Sequence, residues 1–239
     1  LDGKNCSGAI VLDASVKIID VRAFFGSQIT AVTIPNSITN IAQSAFEGTQ
    51  ITSVDIPNSV TTLGGGAFAS TPLTSVTIGN SITVIGDETF YDTALTSVTI
   101  GSSVKTIGYN AFNGSPLTSI TIPNSVTIIG QGAFRGTKLT SVNIPDSVKI
   151  IGPGAFSGVP LTSITFGNSL IEIGGGAFEN NLALTTISIP DKLEVLGASA
   201  FDRNYSLTSI LYCGKLIGFP ITPTCPPDRQ AALNAAKAA

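Results

Sequence analysis

The chain has 239 residues, 12 Lys and Arg against 15 Asp and Glu, no His and three Cys. Charged residues make up only 11%, well under the roughly 25% of an average soluble domain. The scattered basic residues form neither the stripe of a nucleic-acid binder nor a polybasic membrane-surface segment, and no apolar run approaches the ~18 residues of a transmembrane helix.

Residues 1–9 read as an N-terminal cap. The chain starts at Leu1, as a processed or trimmed product would, and this points weakly to export. Three sequons, at Asn5, Asn113 and Asn204, are compatible with a secretory route.

From residue 10 to 212 the chain repeats itself. Phe24, Phe46, Phe68, Phe90, Phe112, Phe134, Phe156 and Phe178 stand 22 apart, and Phe201 follows after 23. Eight of these nine follow Ala; Thr89 is the exception. A Pro or Gly column (Pro35, Pro57, Gly79, Gly101, Pro123, Pro145, Gly167) and a Leu or Ile column (from Ile29 to Leu207) keep the same step. Counting strand-like beats from Ile10 to Tyr212 predicts ten turns.

One turn, Leu117 to Phe134, shows the physics. Ile120 and Ile122 are two apart, the spacing of a strand with one buried face. Pro123 ends that strand, Val126 and Ile129 turn inward on the return path, Gly130 relaxes the backbone, and Ala133-Phe134 close the turn in a short helical, 3₁₀ or irregular segment. A single 22-residue turn costs about 33 kcal/mol to order at ~1.5 per residue. Its seven or so apolar side chains return only about 2 kcal/mol each. Stacked neighbours must supply the rest, which is why the unit is repeated.

The pattern L-x-x-I-x-I-P-x-S-V-x-x-I-G-x-x-A-F, read over about residues 10 to 216, resembles the BspA-like (treponemal-type) leucine-rich repeat family. The resemblance implies a curved, right-handed solenoid with a parallel β-sheet on its concave side. It also implies a surface or secreted binding protein, often an adhesin. Two features depart from the family pattern. The step is 22 where 23 is usual, and Thr49, Thr71, Thr93, Ser115 and Thr137 stand where the family often has Cys, three residues after Phe.

Residues 213–239 read as a C-terminal cap with an Ala-rich tail. Cys213 takes the place of Pro190 one turn earlier, and Cys225 lies in the Pro-rich stretch FPITPTCPP. A Cys213–Cys225 disulfide would pin the cap over the open sheet edge; two buried free thiols are the alternative. Cys6 lies too far away to join them, since ten strands at ~4.8 Å separate the ends by about 45 Å. The tail from Pro227 reads as a short helix.

Chemistry is sparse. Without His, Ser-His-Asp, Cys-His and His-metal sites cannot be assembled. Three Cys without a CxxC supply no zinc or thioredoxin-type site, and GGGAF at 64–68 and 174–178 lacks the Lys-Ser/Thr of a P-loop. Those glycines read as tight solenoid turns, and Asp87-Glu88 as a solvated pair. No catalysis and no cofactor are expected.

The outward strand positions are the informative ones. A Thr column runs through Thr74, Thr96 and Thr118, beside a Ser column through Ser53, Ser75, Ser97, Ser119, Ser141 and Ser163. Two residues further on come Asp55, Thr77, Thr99, Thr121, Asn143 and Thr165. In a parallel sheet these form ladders of hydroxyls ~4.8 Å apart. Thr also suits a strand, so the ladders could merely solvate an outward face.

The expected function is a non-enzymatic protein-binding, adhesion or scaffolding module using this concave face, extracellular or on a cell surface. The alternatives are a structural subunit of a larger complex, in an organelle lumen or membrane-associated, and, less favoured, an ice-binding surface. An unidentified protein is the expected partner, ahead of a glycan or ice; nucleic acid is not.

Overall fold

A computed structural model describes residues 3–212 and 215–218. Each turn has three walls, and each wall is hydrogen-bonded to the same wall of the next turn. Nine complete turns carry the nine Phe residues. The tenth strand-like beat in the sequence is Ser209–Tyr212, a strand that follows the ninth Phe.

The first wall holds the longer strands. Ser53–Ile56, Ser75–Ile78 and Ser97–Thr99 pair in parallel and in register, as do Ser141–Asn143 with Ser163–Thr165. Thr186–Ile189 pairs in the same sense with Ser209–Tyr212. Ser7–Val11 already lies parallel to Gln28–Thr33. The last strand receives an antiparallel neighbour, Lys215–Gly218, which ends the parallel repeat. Side chains alternate as the sequence predicts: Val54 and Ile56 are buried while Ser53 and Asp55 are exposed.

The rung at 119–121 forms no strand. Among turns two to nine, this is the one with Pro at both ends of the rung, Pro116 and Pro123. Two fixed φ angles and two missing N–H donors take it out of the ladder.

The second wall holds two-residue strands. Val84–Ile85, Thr106–Ile107, Ile128–Ile129, Ile150–Ile151, Glu172–Ile173 and Val195–Leu196 form one six-stranded parallel sheet. Gly130 follows one of these strands, and its role differs from the expected relaxation of the backbone. A Cβ there would lie 2.7 Å from the Gly108 carbonyl carbon, so the residue is Gly because successive coils touch.

The third wall carries the Ala-Phe pairs and is a run of turns; the helical and 3₁₀ expectations for it are not met. Residues at Phe−2 and Phe+2 take left-handed φ, Gly132 at 63° and Gly136 at 71° in one turn and Glu88 at 57° and Asp92 at 52° in another. This breaks any helix. It also frees alternate N–H groups to reach the neighbouring coil. Phe46 N donates to Ala67 O at 2.8 Å, Phe112 N to Ala133 O at 2.8 Å and Phe134 N to Ala155 O at 2.8 Å.

The core runs down the middle as a stack of Phe rings, each nearly parallel to the next at 5.1–5.8 Å. The widest step, 5.8 Å between Phe68 and Phe90, falls where Thr89 replaces Ala. The second-wall sheet breaks at the same place, between Thr62–Leu63 and Val84–Ile85.

Thr49, Thr71, Thr93 and Thr137 are buried beside this stack, each hydroxyl donating to the carbonyl of the Phe three residues earlier at 2.8–3.1 Å. In later turns Asn181 and Asn204 do the same through their amides. Asn204 is 1% exposed, and its amide also donates to Phe178 O while its Oδ1 accepts from Asn181 N. It is a core residue, so the folded chain cannot present it to a glycosylating enzyme. Cys213 and Cys225 lie outside the described residues; Cys6 is half-buried and free. Among the described residues no helix is long and apolar enough to cross a membrane.

Candidate functional site

The first wall brings the candidate residues together as columns. Ser53, Ser75 and Ser97 are direct register partners, as are Asp55, Thr77 and Thr99. The second block aligns Ser141 with Ser163 and Asn143 with Thr165. Thr118, Ser119 and Thr121 are also exposed but sit on the rung without a strand. The candidate face is therefore two ordered blocks joined by a rung held outside the β ladder.

The Thr column differs chemically from its neighbours. Thr74 Oγ1 donates to Thr52 O at 3.1 Å, Thr96 Oγ1 to Thr74 O at 3.3 Å and Thr162 Oγ1 to Thr140 O at 3.0 Å. Each of these hydroxyls has committed its only proton to the coil below it, which periodicity could not reveal. Among the described residues the Ser column and the Asp55 column carry no such bond, which leaves their donors and acceptors for solvent or a ligand.

Asp55 stands apart. It is the one carboxylate in these columns between Thr33 and Leu211, it is exposed, and it makes no ion pair among the described residues. It lines two adjoining depressions. One, of about 490 Å³, lies on the strands among Ala31, Ser53, Thr77 and Ser97. The other, of about 780 Å³, lies along the strand ends beside Asn58, Gly79, Asn80 and Gly101. The glycines are imposed by packing, since a Cβ on Gly79 would lie 2.6 Å from Pro57 O. Their lack of side chains leaves this rim open. Asn58 and Asn80 build it in register, each Oδ1 accepting the backbone N–H one turn on at 2.7 and 2.8 Å.

Among the described residues no group of His, Cys, Asp or Glu could hold a metal ion. A third depression, of about 450 Å³, lies on the Phe wall near Glu47, Asp87 and Glu88. The face can offer hydroxyls, one carboxylate and amide groups to an extended ligand.

Sequence comparison matches the BspA type leucine rich repeat region family over residues 4–116 and 105–220, in six copies. The chain belongs to this family. Among solved structures it is similar to a leucine-rich cell surface protein from Faecalibacterium prausnitzii, at 28% identity and a TM-score of 0.50, over 91% of this chain and 72% of that one. It is also similar to the pneumococcal vaccine antigen PcpA, at 19% identity and a TM-score of 0.49, over 85% of this chain and 62% of that one. A comparison with curated proteins returned no match. The repeat family and the parallel three-walled solenoid agree with the fold read from the Phe columns.

Proposed function

We propose that this chain is a non-enzymatic binding module of a cell surface or secreted protein, and that it engages a protein partner through the first wall. The observation that carries the reading is the register of exposed, uncommitted Ser and Thr hydroxyls around Asp55. The face is almost free of charge and already ordered, so a partner strand or loop would find donors and acceptors without paying to arrange them. Solenoid faces built this way serve as extended binding surfaces. Membership of a repeat family whose structural neighbours include a cell surface protein supports the surface location.

Asp55 supplies the specificity. A partner with Lys or Arg opposite it gains an ion pair that no other rung in these columns can offer. The ice-binding alternative loses ground on the Thr column, because hydroxyls turned onto backbone carbonyls do not present a regular donor array.

The test is capture of partners from the producing cells and the surfaces they meet, with three baits: wild type, Asp55→Lys, and a variant carrying Ser97→Lys and Thr99→Lys. A partner held by wild type and lost on both variants supports the reading. A partner held equally by all three places the contact on another wall and refutes it.

A further inference from the structure

The rung at 119–121 does more than interrupt the first wall. From Thr118 to Ile122 no backbone group is hydrogen-bonded among the described residues. The hydroxyl bond of the Thr column is missing at the same two steps. Thr96 Oγ1 reaches Thr74 O and Thr162 Oγ1 reaches Thr140 O, while Thr118 and Thr140 donate no such bond among the described residues. The inward residues Val98 and Ile120 are half-buried, where Val54, Val76 and Val142 are each 4% exposed. Over this stretch two successive coil-to-coil steps are held by packing alone.

The other two walls of the same coil are continuous. On the second wall, Ile128–Ile129 pairs with Thr106–Ile107 on one side and Ile150–Ile151 on the other. On the third, Phe112 N donates to Ala133 O and Phe134 N to Ala155 O, both at 2.8 Å. Near the corner between the first and second walls, Ser125 Oγ donates to Val104 O at 2.6 Å. A coil bonded along two walls and unbonded along the remaining one can open or close on that side with few contacts to break. What keeps the rung unbonded is local. Lys138 N donates to Leu117 O at 2.8 Å and Gln50 N to Ile29 O at 3.0 Å. Pro116 takes the same place in its turn and has no N–H to give. A turn with Pro at one end only, such as Lys138 to Pro145, keeps its strand.

We propose that the rung at 119–121 is a hinge in the candidate binding face. Around it, the block carrying Ser53 to Thr99 and the block carrying Ser141 to Thr165 change their angle about the second and third walls. The curvature of the first wall is adjustable at this coil and fixed within each block. A partner that touches Asp55 and Asn143 together must settle the angle as it binds, whereas one confined to the Asp55 block need not. That consequence rests on the first wall's binding role; the hinge itself does not.

Double electron–electron resonance on the full chain tests this, with Cys6→Ser, Cys213→Ser and Cys225→Ser as background and circular dichroism to show that each variant is folded. Spin labels at Ser75→Cys and Ser163→Cys span four steps of the first wall across the hinge, roughly 19 Å. Labels at Thr83→Cys and Ile171→Cys span four steps of the second wall, bonded rung by rung through Lys105, Thr127 and Lys149. The first-wall distance distribution is expected to be about twice as wide as the second-wall one. Pro116→Lys and Pro123→Gly each leave a single Pro, as in turns that keep their strand, and narrowing of the first-wall distribution in either variant supports the hinge. Equal widths on the two walls of wild type overturn the proposal. So does a first-wall distribution that stays as wide in both proline variants, since the flexibility then lies elsewhere.

Discussion

Replacing Phe112 by Ala should show whether the ring stack holds the solenoid together coil by coil. Phe112 is fully buried, with ring neighbours on both sides at 5.4 Å, Phe90 and Phe134. Truncation to Ala removes a buried ring and leaves a cavity lined by two more, a change that costs about 3–5 kcal/mol in a packed core. Each lost ring pair adds about 0.5–1.5 kcal/mol beyond the area term, which puts Phe112→Ala at the upper end, near 5 kcal/mol. Phe24 is half-buried and, among the described residues, stacks on one side only, against Phe46 at 5.2 Å. The same truncation there should cost about 2 kcal/mol, because roughly half of the buried surface and one ring pair are at stake. Urea unfolding followed by far-UV circular dichroism reads both losses, each variant fitted with its own midpoint and slope. In a solenoid whose coils touch only their neighbours, the Phe112 variant should also broaden the transition, since the two halves are uncoupled at the gap. Equal losses at Phe24 and Phe112, with both transitions as sharp as wild type, would refute the stack as the element that couples the coils.

Thr137→Val keeps shape but removes the hydroxyl on Phe134 O, a buried bond of 2.8 Å, and should cost about 1–3 kcal/mol by urea unfolding. Gly130→Ala, where a Cβ meets the Gly108 carbonyl at 2.7 Å, should lower Tm severalfold more than Gly136→Ala, where the added Cβ is unobstructed and only the φ of 71° is penalised, by about 1–2 kcal/mol. Hydrogen exchange should be faster at the amides of Ser119 and Thr121, on the rung outside the ladder, than at Ser97 and Thr99 in a paired strand. Hydrogen bonds from the Ser15 side chain and backbone hold the Asp13 carboxyl below the usual carboxylate range. A lowered folded-state pKa stabilises above the unfolded value and is lost as pH falls through the folded one. The urea midpoint of wild type should therefore drop slightly more between pH 5 and pH 2.5 than that of Asp13→Asn.

The parallel solenoid was legible because a step of 22 in Phe leaves one solution, coils that stack ring on ring, and the period of two at Ile120 and Ile122 fixes which side faces in. The exposure of Ser53, Thr77 and their column mates followed from the same two periods. What the sequence hid were contacts between coils. Gly130 looks like a flexible joint until the coil beneath it is seen to leave no room for a Cβ, and Thr74 looks like a free donor until the Thr52 carbonyl is seen beneath its hydroxyl. The third wall was hidden for another reason. Nothing in Glu88 or Asp92 announces a left-handed backbone, and the residues adopt it because the inter-coil bonds from Phe90 and its neighbours require it. Hydroxyl columns arise wherever a repeat needs a strand-compatible outward residue, so the first wall's claim rests on the departures from that pattern: Asp55, the open Gly79 rim and the donors left uncommitted. A residue that the repeat does not require is where a repeat protein records what it touches.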